Sequence, residues 1–188
     1  MVKKRKQYVQ KPRYMMDITG DITKDLYLSI LGRLSDFLEN KDAYSGISLI
    51  INSCGGNVSY ALSLYDMFRS LNVNIRTIVL GECQSSATIL FALGNVRLIS
   101  ENSLYMIHST FLHYESKILP SNTKYFTNML DHFNGKAQKI VFHEGIAEEF
   151  ISKAKDAMEN EKEFMITAPD VVSYGIATGF YKNINQII

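Results

Sequence analysis

The sequence predicts an α/β fold built around a mostly parallel sheet. Three observations carry that prediction. Short β-branched or apolar runs alternate with segments of helical period, and the connections between them are brief. Two of the runs, ending near Ile51 and Leu80, pass through glycine straight into a helix pattern. Long segments of helical period, such as Ser121 to Glu144, are too regular to be loops.

Taken in order, Tyr14-Met15-Met16-Asp17-Ile18 reads as a short strand stopped by Gly20-Asp21. Ile22, Leu26, Ile30, Leu34 and Phe37-Leu38 then fall on one helical face up to Asn40. Gly46 to Ile51 is a buried strand that Gly55-Gly56 breaks, and Asn57 is placed to cap a helix striped by Ala61, Leu64, Tyr65 and Phe68. The pattern repeats with a strand from Ile75 to Leu80, ended by Gly81, and an apolar helix from Ser86 to Leu93. Val96–Ile99 and Leu104–Ile107 are two further strands. Pro120 precedes the long helix and Gly145 caps its end; Ala147–Met158 and Val171–Tyr174 are two more helices, the last ended by Gly175.

The 188 residues, 46% hydrophobic and 21% charged, suit one soluble globular domain. No apolar run approaches the roughly 18 residues of a membrane span, and no apolar stretch follows the basic start as a secretory signal requires. Six basic residues (Lys3, Lys4, Arg5, Lys6, Lys11 and Arg13) stand in the first thirteen and outweigh the whole net charge of +1. Residues 1–13 are therefore read as a basic flexible tail and 14–188 as a single, mildly acidic domain. A nucleic-acid partner would need a basic face on the fold itself, so none is expected. Cys54 and Cys83 lack metal-ligand or paired spacing, which fits a reducing, cytoplasmic setting with no metal or other cofactor.

Ligands of parallel α/β sheets gather at the C-terminal ends of strands, where both glycine-bearing loops lie. Gly55-Gly56 reads as a tight turn or as backbone N–H groups that hold an oxyanion. Ser85 and Ser86 open the next helix, where a serine is ordinarily an N-cap and a nucleophile only with a base beside it. Spacing alone does not separate the two hydroxyls. His108 closes a strand and is better placed as a base than His113, His132 or His143. Cys83 offers a Cys–His alternative but is read as a small buried thiol.

These segments together resemble the ClpP family, the proteolytic subunit of ATP-dependent Clp protease. Asn52-Ser53-Cys54-Gly55-Gly56 is similar to the family's Asn-Ser-Pro-Gly-Gly loop, with cysteine for proline. Gly81-Glu82-Cys83-Gln84-Ser85 matches its Gly-x-x-x-Ser segment without a gap, and Met106-Ile107-His108 its Met-Ile-His. Thr167-Ala168-Pro169-Asp170 with Tyr174-Gly175 resembles its Ser-Ala-x-Glu-Ala-x-x-Tyr-Gly stretch.

The resemblance covers about Met16 to Phe180 and implies a ClpP/crotonase-like fold of repeated strand–helix units with a long projecting helix. It implies a serine endopeptidase with Ser85 as nucleophile, His108 as general base and the N–H groups of Gly56 and Ser86 as oxyanion hole. Glu163 stands at the distance of the family's third triad member, an Asp, with Glu161 and Asp156 as alternatives. The implied assembly is a homo-oligomeric ring, a heptamer or stacked heptamers, acting on polypeptides and in the family paired with an ATP-driven unfoldase. Ala87 replaces a glycine and Ser109-Thr110-Phe111-Leu112-His113 replaces the family's Gln-Pro-x-Gly-Gly, which marks a divergent or phage-type member. A crotonase-like acyl-CoA enzyme, or a catalytically silent ring component, are the alternative readings.

Overall fold

A computed structural model describes residues 11–111 and 120–188. The basic end up to residue 10, and His113, lie outside the described residues. The described residues form seven strands and six helices in the order β1 (Tyr14–Ile22), α1 (Lys24–Glu39), β2 (Ile47–Gly56), α2 (Val58–Ser70), β3 (Ile75–Gln84), α3 (Ala87–Phe91), β4 (Val96–Ile99), β5 (Leu104–Ile107), α4 (Pro120–Val141), α5 (Glu148–Glu159), β6 (Phe164–Thr167), α6 (Ala168–Ser173) and β7 (Gly179–Phe180).

The sheet runs β1-β2-β3-β4-β7, every pair parallel. β3 is long enough to serve two neighbours. Arg76–Val79 pairs with β4, and Glu82–Gln84 pairs in parallel with β5. β6 then adds to β5 as the antiparallel exception. This branch is what carries the end of β5, and His108 after it, beside the end of β3.

Three strands run further than glycine punctuation predicts. β1 continues through Gly20 to Ile22 with a register shift between Thr19 and Asp21. β2 runs through Gly55 and Gly56, and β3 through Gly81 to Gln84. Glycine does not end these strands because pairing with a neighbouring strand continues past it. It absorbs the bulges instead: the β2–β3 ladder shifts after Ile51 and resumes at Ser53 opposite Cys83, with Gly81 at φ 115°. The helices are close to prediction, although α3 is only five residues long and α4 ends at Val141, four residues short of Gly145.

One core fills the space between sheet and helices. Ile30, Leu34 and Phe37 of α1, Ala61, Leu64 and Phe68 of α2, and Phe91, Tyr105 and Phe150 are buried in it. Each such Ile, Leu or Phe side chain contributes about 1.5–3 kcal/mol on burial. Tyr65, expected on the buried stripe of α2, is half-buried at its edge. The Asn57 carboxamide accepts from Ser59 and Tyr60 N–H and caps α2 as its position predicts.

Arg13, counted with the basic end in the sequence, is bound into the body. Its guanidinium donates to Ser48 Oγ (3.0 Å), Ile47 O (2.5 Å) and Asn74 O (2.8 Å). Burial, then the nearby Arg76, lower its pKa to about 10. No helix among the described residues is long and apolar enough to cross a membrane.

Candidate active site

The C-terminal ends of β2, β3 and β5 converge on a cavity of about 720 Å³. Gly56, Ser85, Ser86 and His108 all line it, together with apolar groups that include Met129 and Phe133 of α4. Four of the five residues singled out in the sequence thus share one wall. Glu163 does not line it.

Ser85 occupies a left-handed backbone conformation, φ 51°, which is uncommon for a residue with a side chain. Its surroundings hold it there. Its N–H donates to Met106 O of β5 at 2.8 Å, and its carbonyl accepts from Thr88 N (3.1 Å) and Thr88 Oγ1 (2.6 Å). Its hydroxyl has no hydrogen-bond partner among the described residues. The N-cap position of α3 belongs to Ser86, which makes no capping bond. Ser86 Oγ donates instead to Gly56 O (3.1 Å), tying the two loops together. The two adjacent hydroxyls therefore differ: one is free in the cavity and the other is used as a strut.

The glycine pair is required by close approach. A Cβ on Gly55, at φ 99°, would lie 2.7 Å from Ser85 Cβ and 2.8 Å from Gln84 O. One on Gly56, at φ 137°, would lie 2.7 Å from Ile22 N. Gly56 pairs with Ile22, and Asn57 N–H donates to Ile22 O at 2.9 Å. In a parallel ladder this pattern turns the N–H and C=O of Gly56 away from β1. Its C=O accepts from Ser86 Oγ on that side.

His108 follows β5 and is half-buried. Its Nδ1 lies 2.6 Å from Ser109 O. A carbonyl oxygen only accepts, so Nδ1 carries the proton and Nε2 is left bare in the neutral ring. The segment after His108 is pinned: Ser109 Oγ donates to Met158 O (2.8 Å) and Thr110 N to Asn134 Oδ1 (2.7 Å). No hydrogen bond joins His108 to Ser85 or to Glu163. Asn134 was not singled out in the sequence, where a polar residue inside a long helix period was the available signal.

The three candidate acids fall differently. The β5–β6 ladder ends at Ile107 with Phe164, and its register, extended by one step, would set Glu163 opposite His108. Glu163 is exposed there. Glu161 lies in the turn after α5 with φ 55°. The Asp156 carboxylate accepts from Asn160 Nδ2 at 3.3 Å.

Cys83 is fully buried and does not line the cavity. Burial, reinforced by the charge of Glu82, pushes its thiol far above the usual range, which removes it as a nucleophile. Cys54 does line the cavity. Its thiol donates to Asp21 Oδ1 at 2.9 Å, and that bond, then burial and the charges of Asp21 and Glu82, raise its pKa. His132 and His143 do not line the cavity.

Comparison with known proteins identifies the family. The family model described as Clp protease matches residues 4–183. The chain is 32% identical over 164 residues to the ATP-dependent Clp protease proteolytic subunit of Cyanophora paradoxa, covering 84% of this chain and 78% of that one. It is 30% identical over 188 residues to the protein of the same description from Ligilactobacillus salivarius (strain UCC118), covering 94% of this chain and 87% of that one. A family match over nearly the whole length, on a fold that places its loops around one cavity, has one consequence: the chain belongs to the Clp protease family of serine-type peptidases.

Proposed function

We propose that this chain is an endopeptidase that cleaves unfolded polypeptides inside an oligomeric ring, with Ser85 as nucleophile and His108 as general base. The observation that carries the reading is the cavity shared by a partner-free Ser85 hydroxyl, the loop carrying Gly56 and Ser86, and the His108 imidazole. Ser85 Oγ attacks the peptide carbonyl while Nε2 of His108 takes its proton. The N–H groups of Gly56 and Ser86 stabilise the oxyanion of the tetrahedral intermediate; one such donor is typically worth about 2.7–4 kcal/mol. Collapse breaks the C–N bond, and His108 returns the proton to the leaving amine. Water, deprotonated by the same imidazole, then releases the acyl group and restores the Ser85 hydroxyl.

Glu163, opposite His108 in the extended ladder, is the carboxylate proposed to stabilise the imidazolium. Its extra methylene relative to Asp suits a position reached from the strand end. The ring, a heptamer or a stack of two, is supported by family membership and by Leu28 and Leu38 of α1, which are 50% and 51% exposed. The relatives' description as ATP-dependent supports an ATP-driven unfoldase as partner, and a cytoplasmic setting is part of the same reading.

A fluorophosphonate probe tests the chemistry. Covalent labelling is expected for the native chain and for Ser86→Ala, and is expected to vanish in Ser85→Ala. Labelling that survives Ser85→Ala would overturn the assignment. An unlabelled native chain that also leaves peptides intact would favour a silent ring component.

A further inference from the structure

We propose that Asp21 selects substrates carrying a basic side chain close to the cleaved bond; the inference rests on the peptidase reading above. Among the described residues, Asp21 is the only carboxylate on the wall of the 720 Å³ cavity, whose other titratable groups are Cys54 and His108. It stands beside the oxyanion loop, paired in the β1–β2 ladder with Gly55, the residue packed against Ser85. Its carboxylate accepts the Cys54 S–H bond at 2.9 Å. That contact supplies no positive charge, and no Lys or Arg among the described residues pairs with it. Glu82 adds to the same field, since its charge and that of Asp21 both act on Cys54.

Among the described residues the cavity therefore carries negative charge with no cation beside it, in a site where a second negative charge develops on the substrate oxygen. A cation on the substrate answers both. The distance suits a side chain near the scissile bond. β1 lies two strand spacings from β3, about 10 Å, while an extended peptide advances about 3.3 Å per residue. An Arg or Lys one to three residues from the cleaved bond spans that gap with its own length.

The test uses the assembled native chain and fluorogenic peptides that place Arg, Ala or Glu in turn at each of three positions on either side of one cleavable bond. At one position the kcat/KM order is expected to be Arg above Ala above Glu. The Arg-to-Ala ratio should be about two- to fivefold at low salt, as for a partly exposed ion pair, and shrink toward one at 1 M salt. Asp21→Asn should flatten the series, and Asp21→Lys should invert it in favour of Glu. A uniform rate loss across all peptides in Asp21→Asn would make the residue structural and overturn the proposal. Cleavage of the Ala peptide by the native chain with no charge preference would sink the proposal alone. No cleavage of any peptide, with no fluorophosphonate labelling, would sink the peptidase reading together with it.

Discussion

Gly55 lies against Ser85 so closely that a β-carbon at position 55 would stand 2.7 Å from that of Ser85. This contact couples the loop proposed to present the oxyanion donors to the residue proposed as nucleophile. It also explains how Ser85 is kept at φ 51°: the backbone of one loop is packed against the other, and Met106 O holds its N–H from the far side.

Gly55→Ala is therefore expected to damage catalysis more than folding. Strain at a positive φ costs about 1–3 kcal/mol, measurable by urea unfolding. The displaced Ser85 should lower kcat by about 100-fold, the order of loss that a 1 Å misplacement produces. A variant with normal kcat would show that the two loops move independently.

Glu163→Gln is expected to lower kcat by about two to four orders of magnitude at pH 7, by removing the charge proposed to stabilise the imidazolium. Glu161→Gln and Asp156→Asn should stay within about threefold of the native rate. Steady-state kinetics on one neutral peptide reads all three. Full activity in Glu163→Gln would leave Ser109 O as the group that orients the ring.

Alkaline pH should destabilise the fold through two buried groups. Burial is the leading cause that raises the pKa of both Cys83 and Tyr105, so each stays protonated in the folded chain. The unfolded chain releases the Cys83 proton near its ordinary value of 9.0. The contribution is thus fully present below about pH 9 and is lost as pH rises, by about 1.4 kcal/mol per pH unit for each proton. Urea unfolding of the native chain between pH 8 and 11 should show that decline, with a shallower slope in Cys83→Ala. Equal slopes in the two proteins would contradict it.

Local patterns in the sequence were enough for the kind and order of the first five strands and the six helices, but not for the short strands β6 and β7. Periods of two and 3.6 residues depend only on which face of a segment is apolar, and Ala61, Leu64 and Phe68 are buried as their spacing predicts. The Gly55-Gly56, Ser85 and Met106-Ile107-His108 segments were legible too, as strand ends carrying chemistry. Strand length was not. Gly20, Gly55 and Gly81 look like stops in one dimension, yet hydrogen bonds from neighbouring strands carry each ladder through them.

The sequence by itself determined the α/β class and membership of the Clp protease family, and it supplied the side chains proposed to react. Only the tertiary structure decided which serine has a free hydroxyl, because that depends on Gly56 O, thirty residues away, taking the other. The branching of β3 decided that His108 shares a wall with Ser85, and the bulge after Thr19 set Asp21 beside Gly55. These outcomes rest on contacts between segments far apart in the chain. Periodicity within a segment carries no information about them.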